Sequence, residues 1–437
     1  METVSQILGS AKRKKNERSG IHSWHPYYAG YSESFVQSAL GYLTLSKNDI
    51  VLDPWAGSGT TQLVCAKHGI RAVGIDINPV MSIFANAKTG SLIEDFSKIS
   101  DFLSKMSSCF HNNSINCTKN TSEDPLLNWM TSSLCDTLRQ ISAFIIKETI
   151  PFKTPFAKYY SVNILNEKSS FQVNLLSDFL FAALFITGRK MASYRGGSNP
   201  TWTKAAEVKI DYSKKDVVNE FISQCHQMHE DINAAGILVS SDNISLVANS
   251  RTLPFASSTF GAIITSPPYL TRIDYAMSTK PELLLLKDEC YLRQIREQTM
   301  GAPVIVDKTI ESKKSWGALC NSLLSSIETH STKSAKNYYL PNILQYFRDA
   351  EDSIREIVRV LRPGGKALIV VQSSYFKELE IKLGEMYVEM AIELGCASSI
   401  VSRDTVRGHM AHVNSKSNEY KLNKIYFEDV IEIIKRS

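Results

Sequence analysis

Residues 48–88 constrain this chain more tightly than any other stretch of it. NDIVLDPW (48–55) reads as a strand buried on both faces, AGSGTT as a glycine turn, and a helix runs on to about residue 68. RAVGIDI (71–77) is a second strand, and NPVMSIFANAK a second helix with proline near its start. Strand, helix, strand, helix in that order implies parallel strands joined by crossover helices, and hence a doubly wound α/β sheet.

The alternation then stops. Residues 91–240 read mostly as helices, among them the apolar FQVNLLSDFLFAALFITGRK, separated by polar loops such as HNNSINCTKNTSED. Strand signals return at NISLVANS (243–250) and FGAIITS (260–266). A helix over 343–361 leads through RPGG into the strand KALIVVQSS. A helix over 376–394 precedes ASSIVSRDTV and KIYFEDVIEIIKR, expected to pair as antiparallel neighbours. We therefore expect an α/β domain of residues 21–90 and 241–437, interrupted by a helical insertion over 91–240 and preceded by a basic flexible arm, 1–20.

Two turns carry chemistry. In DPWAGSGTT, glycines let the backbone approach a ligand at a strand-to-helix turn. Gln62 stands where a dinucleotide fingerprint has its third glycine, and no GK[ST] follows to make a phosphate loop. Asp76, at the tip of the second strand, is placed either to accept two ribose hydroxyls or to cap the NPVM helix. In TSPPYLTRIDYA (265–276), tandem Pro267-Pro268 ends sheet pairing and stiffens the backbone just past a strand.

Composition narrows the class. Of the 437 residues 43% are hydrophobic and 21% charged, as in ordinary globular proteins. No apolar run approaches the roughly 18 residues that span a bilayer, and METVSQILGSAKRKKNERSG lacks an apolar leader, so a cytosolic location is expected. Eight cysteines without a CxxC pair argue against a zinc knuckle or disulfide framework. The net charge of +5 permits a polyanionic partner. Lys12, Arg13, Lys14, Lys15 and Arg18 cluster in the arm, and Arg189, Lys190, Arg195 and Lys204 surround SYRGGSNPTW; each cluster is either a phosphate contact or a solvated surface.

VLDPWAGSGTT closely resembles the cofactor motif of S-adenosylmethionine-dependent DNA amino-methyltransferases, and TSPPY resembles their catalytic motif. HPYYAGYSESFV (25–36), GIDINP, SRTLPF before FGAIITSPPY, and RVLRPGGKALIV also fit, so that the likeness covers residues 21–90 and 243–437. The resemblance implies a mainly parallel seven-stranded Rossmann-like methyltransferase sheet. It also implies S-adenosyl-L-methionine as cofactor, double-stranded DNA as a sequence-specific partner, and chemistry without a metal or a covalent enzyme intermediate.

Carried over residue by residue, Ser266 and the Pro267 carbonyl would hold the protons of an exocyclic amine, with Pro268 keeping the loop stiff. Tyr269 would stack on a base swung out of the helix. Asp53 would bind the methionine amine of the cofactor, Asp76 its ribose, and Tyr28 and Trp55 would pack on its surfaces. Ala56, Gly57, Gly59, Thr60 and Ile77 would line the same site. Asn249 stands where the family commonly has an acidic residue beside the adenine, a departure that puts that contact in doubt. Arg272, Asp274 and Tyr275 would touch the DNA, or Arg272 and Asp274 would pair with each other.

Ser before the prolines favours cytosine N4 as target, with adenine N6 the alternative. The insertion 91–240 is the first candidate for target recognition and 285–340 the second; no helix-turn-helix or zinc module is legible in either. A modification role beside a cognate restriction or defence subunit is expected. Methylation of an RNA base amine and a non-catalytic DNA-binding subunit are the competing readings.

Overall fold

The computed structural model describes residues 8–13, 17, 19–26, 30–89, 96–111, 123–150, 174–195, 204–237, 243–270, 273–286, 289–406 and 424–436. In the first part of the chain α1 (Glu33–Leu43) precedes β1 (Ile50–Asp53), α2 (Thr60–Lys67), β2 (Arg71–Asp76) and α3 (Pro79–Thr89). Helices α4 (Phe96–His111), α5 (Ser132–Thr149), α6 (Leu175–Met191) and α7 (Lys214–Ala234) follow, then β3 (Ile244–Val247) and β4 (Phe260–Thr265). Beyond β4 come α8 (Tyr275–Ser278), α9 (Lys280–Leu286), α10 (Glu289–Gln298), α11 (Ala318–Glu328) and α12 (Leu340–Val360). The chain closes with β5 (Leu361–Gln372), the hairpin β6 (Ser374–Phe376) and β7 (Leu379–Ile381), α13 (Leu383–Glu393), β8 (Ala397–Thr405) and β9 (Phe427–Ile434).

The main sheet has seven strands in the order β3-β2-β1-β4-β5-β9-β8. Strands β1 to β5 pair in parallel, and β9 runs antiparallel between β5 and β8. Both faces are apolar because successive residues of the inner strands point to opposite sides. Leu52, Ile263 and Ile369 pack with α11, α12 and α13, whereas Val51, Ala262 and Leu368 pack with α1 and the N-terminal segment. RPGG is a bulge at the start of β5: the pairing slips from Phe260↔Leu361 to Ala262↔Lys366, and Gly364 takes φ +72° there. The tail differs from expectation, since 374–381 forms the small hairpin and the helix starts only at Leu383.

Helices α4 to α7 are built onto α3 rather than standing apart. Helix α6 is apolar on nearly every side, so it needs cover all round; α3, α5, α7 and α9 supply it within one core cluster that includes Phe84, Leu138, Phe181, Phe221 and Leu284. Arg189, expected on a basic surface, is bound instead to the buried Glu282 at 2.5 and 3.0 Å and to the Ser278 carbonyl. The arm is also not free along its described part. Leu8 and Ala11 are buried, Ser32 N–H donates to Ala11 O, and Arg13 Nη2 donates to Tyr31 O and, at 2.8 Å, to Thr60 Oγ1. Lys14, Lys15 and Arg18 lie outside the described residues.

Candidate active site

A cleft of about 800 Å³, its open mouth included, lies at the carboxyl ends of β1 to β4. The sheet order reverses between β1 and β4, and the crevice beside such a reversal is where open α/β sheets bind ligands. The wall after β1 is Pro54 and Trp55; after β2 it is Asp76, Ile77 and Asn78; after β3, Ala248 to Arg251; after β4, Ser266 to Tyr269. Tyr275, Ala276 and Gln298 to Met300 cover it from the segment that follows. Of the residues expected from the sequence, Trp55, Asp76, Ile77, Asn249, Ser266, Pro267, Pro268 and Tyr269 thus meet around one space. Tyr28 and Arg272 lie outside the described residues.

The glycine turn shapes the floor. Gly57 and Gly59 have φ +50° and +83°, and a Cβ on Gly59 would lie 2.6 Å from Ala85 Cβ, so α3 packs directly on the turn. Gly57 N–H donates to Asp76 Oδ2 at 3.0 Å, and Asn78 N–H to Asp76 Oδ1 at 2.8 Å. The helix-capping alternative for Asp76 fails, because Asn78 Oδ1 accepts from Val80 N–H and caps α3 itself. Burial pushes the Asp76 carboxyl up to about 7, against the pull of the Asn78 and Gly57 amides. The missing third glycine is explained on the opposite element. Gln62 is fully buried against Gly74 of β2, where a Cβ would come within 2.1 Å of Gln62 Nε2.

Asp53, expected at the methionine amine, is engaged within the protein. Its Oδ1 accepts from Thr265 Oγ1 at 2.6 Å and from Trp55 N–H, and its Oδ2 from Tyr31 and Thr61 hydroxyls, each at 2.6 Å. The carboxylate is 1% exposed; burial raises its pKa while the three hydroxyls pull it down. Asp53 therefore ties β1 to β4, α2 and the segment before α1. Ala56, Gly57, Gly59 and Thr60 likewise shape the turn from outside the cleft wall, and the Thr60 hydroxyl is taken by Arg13.

The Ser-Pro-Pro-Tyr loop is held from behind at successive points. Ser266 Oγ donates to Val370 O at 3.0 Å and lies 3.3 Å from the Tyr269 hydroxyl. Tyr346 of α12 donates to Pro268 O at 2.9 Å, with Tyr387 of α13 behind it at 3.2 Å, and Ser374 Oγ donates to Leu270 O. Burial raises the Tyr269 phenol far above its ordinary value, so it stays neutral. Asp274 caps α8 and pairs with Arg296 at 2.8 Å. Tyr346, Tyr387 and Tyr31 were not legible as site residues: the first two follow the apolar periodicity of their helices, and the third shares its segment with Tyr27 and Tyr28.

A mainly parallel sheet of this order, with a glycine turn, an acidic strand end and a Ser-Pro-Pro-Tyr loop around its switch-point cleft, is a Rossmann-type methyltransferase sheet. A family model described as DNA methylase, of the N6/N4 methyltransferases, matches residues 3–85. The chain is 28% identical over 326 residues to the type II methyltransferase M.BsoBI of Geobacillus stearothermophilus, an alignment that takes in 69% of this chain and 60% of that one. It is 24% identical to the type II methyltransferase M.MvaI of Kocuria varians, over 86% of this chain and 82% of the relative. To the type II methyltransferase M.AvaI of Anabaena variabilis it is 22% identical, over 90% and 82%. The chain is thus similar to the N6/N4 DNA methylases over residues 3–85 and to type II methyltransferases over most of its length.

Proposed function

We propose that this chain methylates the exocyclic amine of a base flipped out of double-stranded DNA, cytosine N4 in preference to adenine N6, as the modification component of a restriction–modification system. The observation that carries the reading is the meeting of Asp76 and the Ser266–Tyr269 loop in one cleft. S-adenosylmethionine would supply an electrophilic methyl group there. The residues suit it: a carboxylate held by Gly57 N–H for ribose hydroxyls, Trp55, Ile77 and Met81 as apolar and aromatic walls, and a turn on which a side chain at residue 59 would collide.

The amine of a base is a poor nucleophile while its lone pair is delocalised into the ring. Ser266 directs its own proton to Val370 O, which leaves its oxygen lone pairs to accept from the amine. With the Pro267 carbonyl as second acceptor, both amine protons are held and the nitrogen turns tetrahedral, freeing the lone pair for attack. Tyr346, pulling on Pro268 O, keeps these acceptors in place before the base arrives. Tyr269 stacks on the extruded ring. Gln298, Thr299 and Met300 of the later segment line the cleft, which favours that segment, over the insertion, for contacts next to the target base.

Tyr269→Ala tests this. Loss of a stacking platform worth about 1–3 kcal/mol lowers single-turnover transfer and leaves cofactor affinity nearly unchanged. A mismatch opposite the target base restores part of the rate, since less pairing must be broken. Wild-type single-turnover rates for Tyr269→Ala on duplex DNA would refute the flipped-base reading.

A further inference from the structure

Most polar side chains around the cleft are already engaged within the protein. Asn249 Oδ1 accepts from Arg251 N–H and Nε, Arg251 Nη1 is bound to Asp349 at 2.8 Å, and Ser250 Oγ lies 3.1 Å from Ser353 Oγ. Thr299 Oγ1 donates to Ile295 O. Gln298, the last residue of α10, is different: its Oε1 is buried and has no hydrogen-bond partner. Among the described residues it is the one such atom on a residue of the cleft wall. A buried acceptor left unmatched costs free energy that a ligand N–H can return.

Its place on the wall decides which N–H. The carbonyl of Gln298 accepts from Arg251 Nη2 at 3.5 Å, and Arg251 Nε donates to Asn249, so Gln298 stands over the end of β3. In the sheet order β3-β2-β1-β4, Asp76 of β2 lies between that end and the Ser-Pro-Pro-Tyr loop after β4. A nucleoside with its ribose on Asp76 and its reacting end toward β4 must direct its base toward β3. The acidic residue common in the family is Asn249 here, and its acceptor is consumed by Arg251.

We propose that Gln298 reads the cofactor's adenine, its carboxamide oxygen accepting from the 6-amino group in place of the missing acidic side chain. The inference rests on the reading of the cleft as a nucleoside cofactor site. Its ligand chemistry, an exocyclic amine beside a ring nitrogen, is shared by adenine and by a flipped cytosine, so the test separates the two.

Affinities of wild type and Gln298→Leu are measured by calorimetry for S-adenosylhomocysteine and for its counterpart with unsubstituted purine, which lacks the 6-amino group. Wild type prefers the adenine compound by about 10-fold, and Gln298→Leu loses that preference by weakening for the adenine compound alone. Thermal stability of the ligand-free variant stays the same or rises, because an unmatched polar atom has been removed. Duplex affinity with a mismatched target stays unchanged. Retained preference for the amine in Gln298→Leu overturns the proposal, as does a loss of mismatched-duplex capture with cofactor preference intact, which would assign Gln298 to the target base. Equal weakening for both compounds with a lower melting temperature overturns it in favour of a structural role. Failure of wild type to bind either compound would instead count against the cofactor site itself.

Discussion

Tyr346→Phe removes one oxygen and isolates two buried groups. The Tyr346 hydroxyl donates to Pro268 O at 2.9 Å and lies 3.2 Å from the Tyr387 hydroxyl; Tyr346 is 1% exposed and Tyr387 fully buried. Leaving a buried polar group unmatched costs about 1–3 kcal/mol, so the loss of both contacts destabilises the fold by about 2–6 kcal/mol. Tyr387→Phe breaks only the rear contact and leaves Pro268 held. If the Pro268 anchor preorganises the amine acceptors, single-turnover transfer falls roughly 10-fold in Tyr346→Phe, equivalent to about 1.4 kcal/mol in the barrier, and stays near wild type in Tyr387→Phe. The double variant is less destabilised than the sum of the singles, since the stranded Tyr387 hydroxyl is gone. Denaturation midpoints and single-turnover rates, with cofactor affinity as control, decide it. Equal rates in wild type and Tyr346→Phe, or equal rate losses in both single variants, would refute the reasoning.

If Asp76 holds the cofactor's ribose, as proposed, it ties cofactor affinity to pH. Its pKa in the free protein is raised to about 7, so folded stability falls as pH rises from the ordinary carboxyl value of about 4 to about 7 and levels above it. Ribose hydroxyls favour the ionised carboxylate and lower its pKa on binding. Affinity for S-adenosylmethionine therefore rises between pH 6 and 8 by up to about 10-fold and then levels, with proton release on binding at pH 6; calorimetry in buffers of different ionisation enthalpy measures it, and Asp76→Asn flattens the profile. Gly74→Ala sets a Cβ into the space of Gln62 and destabilises by about 1–3 kcal/mol, and Gln62→Ala on the same chain recovers part of that; an additive double variant in thermal unfolding would contradict the contact.

Much of the sheet was legible because buried parallel strands and glycine turns leave local marks. Strands β1 to β5 fell where apolar runs end in turn residues, and the Ser-Pro-Pro-Tyr loop stood out because tandem proline just past a strand has few structural uses. Long-range satisfaction of polar groups left no such mark. Asp53 was assigned to the cofactor from its motif, yet the hydroxyls that occupy it come from Tyr31, Thr61 and Thr265, the last 212 residues away. Gln62 looked like a defect in a glycine fingerprint until Gly74, on another strand, was seen to make its space. The basic arm was read from charge, whereas Leu8 and Ala11 fix its described part through burial that charge counting ignores. For that reason, truncation of residues 1–18 tests folding as much as DNA contact.

The proposed reaction is transfer of a methyl group to a base amine in duplex DNA. Its most direct test is incubation of the protein with methyl-labelled S-adenosylmethionine and double-stranded DNA, with single-stranded DNA and RNA in parallel, followed by digestion and mass spectrometry of the nucleosides. Labelled N4-methylcytosine is expected from duplex DNA, at one sequence, and is lost in Tyr269→Ala. N6-methyladenine would keep the mechanism and correct the base. Label confined to RNA, or a folded, cofactor-bound protein that labels no base in any DNA containing all short sequences, would contradict the claim.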